Sequence, residues 1–417
     1  MSLTNESTSS DPLTSHRSYE VPEAQVQWAE LEKVWATHKE DDFINQVLRG
    51  RDGLNVGLDN GLGNINTYIH GTHQGRIYLV GADSGVGKTT LADFMWIYKH
   101  WIACRKRKIT LYIKYFSFEL SAAEKKARWC SQWIKHYYGQ DIPSDYIMGR
   151  IDGLRVSDEH LRMIMRAHAV VEEVMSDMVI IDHMLHPTGM LNVIIEQHYE
   201  KIGTVHRVQL NPYAGETVAD FNDRQKVAMI TGFTADDPSA RTLIMVDHLA
   251  LINHETGLTT TKAIMDRWSM YAVQIRNLFR ATIIHVQQFN TNQMTTYRET
   301  KKSASIIAPQ RLDFGDSTYT YRDADVVIGL VNPVMHDIRK FYDWDLSELG
   351  LYFIALYLMK NRYGPASRMF PLFLNPISGM FYDFPMDPKE NLSYYYQETK
   401  RIEALCQTFS SPQGTNR

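Results

Sequence analysis

The chain has 417 residues, 44% of them hydrophobic, and a formal net charge of −4 at neutral pH. That is material for one large or two ordinary domains with a substantial core. No apolar run approaches a membrane span, and the polar opening MSLTNESTSSDPLTSHRS lacks the charged-then-apolar pattern of a signal peptide, so a soluble, cytoplasmic protein with no membrane partner is expected. Three scattered cysteines, Cys104, Cys130 and Cys406, make neither a disulfide framework nor a zinc pattern. The mild negative charge leaves any nucleic-acid site to a local basic surface.

Residues 1–20, rich in Ser, Thr and Asp, are expected to be disordered. From Val21 to Arg49 the spacing of Ala24, Trp28, Leu31 and Trp35 predicts a helix. Two tryptophans on one face need a surface to cover them, either the helix's own domain or a neighbouring subunit. A Gly- and Asn-rich stretch, 50–75, leads into the pattern that organises the chain, RIYLVGADSGVGKTT. A short apolar strand (Ile77, Tyr78, Leu79, Val80) breaks into a loop of Ala82, Asp83, Ser84, Gly85, Val86 and Gly87, then into Lys88, Thr89, Thr90 and an amphipathic run.

Strand, glycine loop and helix are the parts a polyphosphate site needs. The glycines let backbone N–H groups turn inward, and the helix offers its positive end to the anion. Lys88 would reach the β and γ phosphates, and the Thr89 hydroxyl would hold Mg²⁺. The first glycine of the usual G-x-x-x-x-G-K-[ST] spacing is Ala82 here, with Gly81 one residue earlier.

The helix after the loop ends in Arg105, Lys106, Arg107 and Lys108, which suit its negative end. A second strand, Ile109 to Phe118, ends at Glu119 and is expected beside the phosphate-loop strand. Ser121 and Glu124 read as a capping box opening a helix that runs to Gly139. At the C-terminal end of a strand, where open α/β sheets bind ligands, the Glu119 carboxylate could align and deprotonate a water. Two later runs, MVIID (Met178 to Asp182) and LIMVD (Leu243 to Asp247), both look like buried strands ending in the Asp that supports Mg²⁺, and periodicity does not choose between them.

A helix is expected from about Thr188 to Lys201, and a polar, irregular segment over 203–241. A Thr- and Gly-rich loop follows Asp247, then a long helix through Trp268 and Phe279, then a strand from Thr282 to Val286 leading to Gln287 and Gln288. The polar segment Thr291 to Tyr321 carries Arg298, Lys301, Lys302 and Arg311; loops of this length are commonly functional. Strands are expected at Val326 to Val331 and Leu351 to Met359, the latter closed by Lys360-Asn-Arg362-Tyr-Gly-Pro, and a terminal antiparallel hairpin over Met369 to Leu374 and Met380 to Phe384. From Asp387 the chain reads as a polar tail.

In this order, GADSGVGKTT, YFSFELS, LIMVDHLALI, HVQQFN, YRDADVVIGL and MKNRYGP resemble the RecA-like motor domain of DnaB-type replicative helicases. The resemblance implies an α/β fold: a P-loop NTPase core with a mostly parallel central sheet flanked by helices over 51–386. It also implies a linker helix over 21–50, and the polar stretch 387–417 is left as a C-terminal tail. Alanine at the position of Ala82 is common in the family. The resemblance assigns the Mg²⁺-supporting role to Asp247, the catalytic glutamate to Glu119 and a γ-phosphate sensor to Gln288. Lys360 and Arg362 match a basic pair that reaches the nucleotide of the adjacent subunit.

A group supplied in trans implies head-to-tail contacts, which form a ring if they close; the family's usual ring is a hexamer, with single-stranded DNA through its centre. Arg298, Lys301 or Lys302 would then lie on phosphates. The implied ligands are ATP or another NTP or dNTP with Mg²⁺, and the implied partners are the replication fork, a separate primase and a loader. A fused primase region is not expected, nor is an N-terminal helical domain like that of bacterial members before Val21; such a form would suit a virus of bacteria. Two other readings share the phosphate loop: a recombination ATPase of the RecA or RadA class, and a nucleotide-dependent assembly protein.

Overall fold

The structure is a computed structural model that describes residues 42–53, 55–207, 230–290, 303–315 and 318–410. The chain divides into two units, Met1–Asn55 and Val56–Arg417. In the first, helix α1 (Asp42–Arg51) carries Arg49 and Arg51 in its last turn and exposes Phe43 and Val47. Trp28, Trp35 and the opening stretch expected to be disordered lie outside the described residues.

In the second unit, α2 (Gly63–Ile69) precedes β1 (Ile77–Ala82). Helix α3 follows, running from Lys88–Ala92 through a π-helical turn, Asp93–Lys99, into His100–Arg107. Then come β2 (Leu111–Ser117), α4 (Ala122–Tyr138), α5 (Asp158–Ser176) and β3 (Met178–Ile181). Helix α6 is made of Pro187–Ile194, a π turn at Ile195–Tyr199 and Glu200–Ile202. It is followed by β4 (Gly203–Arg207), β5 (Ile230–Ala235), β6 (Arg241–Asp247), α7 (Thr261–Phe279) and β7 (Thr282–Gln288). The last part holds α8 (Thr318–Asp323), β8 (Val326–Val331), the two-residue pair β9 (Lys340–Phe341) and β10 (Trp344–Asp345), β11 (Phe353–Asn361), β12 (Arg368–Asn375), β13 (Met380–Asp383) and α9 (Ser393–Ser410).

Among the described residues nine strands form one sheet, in the order β13-β12-β11-β8-β1-β7-β6-β2-β3. The run from β8 to β3 is parallel throughout, and β11, β12 and β13 add an antiparallel flank. Alternation along each strand feeds two cores. Tyr78, Val80, Tyr115, Leu243 and Met245 face the layer of α3, α4 and α5, with Trp96, Trp129 and Trp133. Ile77, Leu79, Phe116, Ile244 and Val246 face α6 and α7, with Trp268. Among the described residues no helix is long and apolar enough to cross a membrane.

The sheet corrects the expected neighbours of β2. It does not adjoin β1, because β7 and β6 lie between them. A helical crossover leaves the next strand free to skip positions that later strands then fill. MVIID is also not equivalent to LIMVD: β3 is an edge strand with Val179 exposed, whereas every residue of β6 is buried. The segment expected to be irregular contains an antiparallel ribbon of β4 and β5, whose Phe233 packs on Tyr199 and Phe279. The polar tail contains α9, anchored by the buried Ile402 in a cluster with Phe341, Phe353 and Phe373.

Candidate nucleotide site

The site grows from the C-terminal ends of the parallel strands. β1 ends at Ala82, and the chain turns through Gly85 and Gly87, whose φ angles of +78° and +103° are strained for any residue with a Cβ. Lys88 then opens α3, whose first N–H groups have no intrahelical acceptor and face any anion above them. Lys88 Nζ donates to the Asp83 carbonyl at 2.9 Å. Burial pulls its ammonium below the ordinary lysine value, against Glu119, Asp247 and Asp83, which push the other way.

Strand register brings the remaining groups together. Ser117 of β2 pairs with Asp247 of β6, and the Phe118 amide donates to the Asp247 carbonyl at 2.8 Å. Glu119 therefore emerges beside Asp247 although two intervening strands separate β2 from β1. Ala82 pairs with Gln288, the exposed last residue of β7. Asp247 is fully buried, and its Oδ1 accepts the Thr89 hydroxyl at 2.9 Å. Asp182, the competing aspartate, instead accepts the Ala122 amide at the start of α4.

These ends surround one cleft of about 380 Å³, lined on the sheet side by Lys88, Thr89, Glu119, His248 and Gln288. Burial holds His248 below the ordinary histidine value, with Asp247 and Glu119 opposing. The far wall is Arg128 and Gln132 of α4 and the 376–379 turn between β12 and β13. Ser131 fastens that turn by donating to the Ile377 carbonyl at 2.9 Å, and Asn375 Oδ1 accepts the Ile377 amide at 3.1 Å. Gln132 Oε1 and Ser378 Oγ are buried on this wall without a hydrogen-bond partner among the described residues.

Thr89 and Asp247 are the oxygen donors placed for a hard cation. Among the described residues no group of three or more His, Cys, Asp or Glu could hold a metal ion. Mg²⁺ would therefore draw most of its ligands from phosphate and water, which is its habit beside nucleotides.

Lys360 and Arg362 lie away from the cleft. Lys360 pairs with Val327 and Asn361 with Val326, the first residues of β8, so both cations sit at the sheet edge opposite the phosphate loop. Lys360 is not a free cation: Nζ donates to the carbonyls of Tyr321 (3.1 Å), Arg322 (2.7 Å) and Ala324 (2.6 Å) at the end of α8. Arg362, 44% exposed, pairs at 3.0 Å with the buried Asp325, which also holds Arg276 at 3.1 Å. Arg298, Lys301 and Lys302 lie outside the described residues.

Sequence reasoning missed Lys125, Asp93 and Tyr115, buried together against Asp247, with Asp93 on the lining of the cleft and the other two behind it. The signal was a charge in an apolar stripe, since Asp93 interrupts the run Leu91, Phe94, Met95, Tyr98 on α3.

No protein-family model matches the chain, and no curated protein sequence matches it. Solved structures do. A DnaB-like replicative helicase, described with its interactions with primase, superposes with a TM-score of 0.56 at 14% identity, over 85% of this chain and 72% of that one. A second solved structure, an ATPase domain on its own, superposes at 0.55 with 15% identity, over 86% of this chain and 98% of that one. The fold is that of a RecA-like ATPase domain. At these identities the likeness is one of architecture, and the RecA-like core supplies the frame in which the cleft stands at the C-terminal edge of the parallel sheet.

Proposed function

We propose that this chain is a ring-forming replicative DNA helicase that couples hydrolysis of ATP, or another NTP, to translocation on single-stranded DNA and unwinding of duplex. The observation that carries the reading is the convergence of Lys88, Thr89, Asp247, Glu119 and Gln288 on the ends of four neighbouring or near-neighbouring strands. In this reading the loop amides and Lys88 bind the β and γ phosphates. Mg²⁺ is held by Thr89 and supported by Asp247; bound there, it would neutralise charge on the phosphoryl group in transfer. Glu119, exposed at the rim, orients and deprotonates the attacking water, and Gln288 senses the γ-phosphate and passes its state to the segment that follows it. Arg128 and the wall carrying Gln132 and Ser378 take the nucleoside end.

Arg362 acts on the cleft of the next subunit in a hexamer, and Arg298, Lys301 and Lys302 contact DNA phosphates. A primase and a loader would be separate partners. The test is unwinding of forked DNA bearing one tail polarity at a time, with the mass of the nucleotide-bound oligomer measured in parallel. The expected result is DNA-stimulated ATP hydrolysis, unwinding that requires a 5′ tail, and the mass of a hexamer. Filaments that exchange strands without unwinding a fork would move the assignment to a recombination ATPase. Turnover indifferent to DNA would leave an assembly protein.

A further inference from the structure

Behind the wall of the cleft, Lys125 is fully buried and shared between two carboxylates. Its Nζ lies 3.1 Å from Asp93 Oδ2 and 3.2 Å from Asp247 Oδ2, with side-chain exposures of 0% for Lys125, 7% for Asp93 and 0% for Asp247. The same ammonium donates to the Tyr115 oxygen, whose own O–H lies 2.8 Å from Asp93 Oδ1 and 3.3 Å from Asp247 Oδ2. Trp129 Nε1 donates to Asp93 Oδ2 at 3.2 Å. A charge-bearing cluster of this kind is an expensive way to hold a core together: taking each ion out of water costs several kcal/mol, and apolar replacements of similar volume are often neutral or better.

What the cluster does locally is fix Asp247 from behind. Oδ2 is taken by Lys125 and Tyr115 and Oδ1 by the Thr89 hydroxyl, so the carboxylate is held at both oxygens. Its other members come from the elements on either side of Lys88 and Glu119. Asp93 lies five residues after Lys88 on α3, Tyr115 four before Glu119, and Lys125 six after it on α4. A shift of any of these elements would be felt at Asp247.

We infer that Lys125, Asp93 and Tyr115 are positioning residues that lock the Asp247 carboxylate toward Thr89 and tie the Glu119 strand and helix to the phosphate-loop helix. The inference rests on the nucleotide reading of the cleft.

The test replaces the buried pair without changing the net charge of the cluster, as Asp93→Asn/Lys125→Met, in the full chain. Three quantities are measured beside the wild type: melting temperature, ADP affinity by calorimetry with and without Mg²⁺, and MgATP hydrolysis. The expected variant melts near the wild type and binds metal-free ADP as the wild type does. The increment that Mg²⁺ adds to ADP affinity and kcat each fall about 10–100-fold, the loss usual when a support behind a metal site is removed. Tyr115→Phe, which deletes one hydroxyl, falls on the same two readouts by a smaller factor and decides the matter if the double variant does not fold. Retention of both readouts within about twofold in a folded variant, when such supports are usually worth ten times that, would reduce the cluster to packing and overturn the inference. A wild-type chain that neither binds ADP nor hydrolyses MgATP would remove the nucleotide reading, and this inference with it.

Discussion

Glu119 and Asp247 are both carboxylates at strand ends, yet their surroundings give them different work. Asp247 is fully buried and held at both oxygens by Thr89, Tyr115 and Lys125. Glu119 is exposed on the cleft rim, close enough to Lys88 and His248 to influence both. Only the second environment suits a general base. Glu119→Gln keeps the volume and removes the proposed base, so under the proposed function nucleotide binding should persist while steady-state ATP turnover drops by about 10²–10⁴. Fluorescent-nucleotide titration and phosphate release measure the two quantities, and a matched loss in both would make Glu119 a binding residue instead. At this scale the sequence was readable where chemistry forces a local spacing, as from Ala82 to Thr90. It was not readable where two distant residues neutralise each other, because nothing along the chain couples Asp93 to Lys125 until α3 and α4 pack on the same sheet face.

Among the elements, α8 shows how a residue with an implied long-range role is used at short range. Its last carbonyls have no helical partner, and Lys360 reaches across from β11 to accept that task with all three of its protons. This stabilises the isolated subunit, which a phosphate ligand acting on a neighbour would not do. Lys360→Met, which keeps much of the aliphatic stem, should therefore destabilise the chain by about 1–3 kcal/mol, since these carbonyls lose their donor. Denaturant unfolding of dilute protein without nucleotide reads this directly, and an unchanged midpoint would return Lys360 to a role between subunits.

Strands and their buried faces were legible from apolar runs, but their order was not, since a parallel strand reveals nothing about which neighbour it will take. Helix α9 escaped notice because its buried stripe is thin: Thr399 and Ile402 are its buried residues, and the aromatic cluster that receives Ile402 is built from residues far away in the chain. The N-cap of α5, where Ser157 Oγ accepts the His160 amide, was present in the sequence and passed over.

Taken as a whole, the second unit has its reactive groups at two opposed edges of one sheet. The phosphate loop stands at the C-terminal end of β1, while Arg362 follows β11 beside the first residue of β8. With six residues in β8, the two edges are about 20 Å apart, too far for an arginine to bridge within one copy. Arg362 could therefore reach a triphosphate only in another copy, and a contact between unlike faces repeats head to tail, giving a ring where the rotation closes and a filament where it does not. Mixing tests this. A junction that pairs the cleft of an Arg362→Ala subunit with the arginine of a Glu119→Gln subunit has every group intact. In randomly mixed rings at equal concentration about one junction in four is of this kind. Hydrolysis should rise from near zero for either variant alone toward that fraction of the wild-type rate, peaking at equal mixing. If native mass spectrometry shows mixed rings and hydrolysis stays at the sum of the two variants, Arg362 does not act across the junction, and its pairing with Asp325 is its whole role.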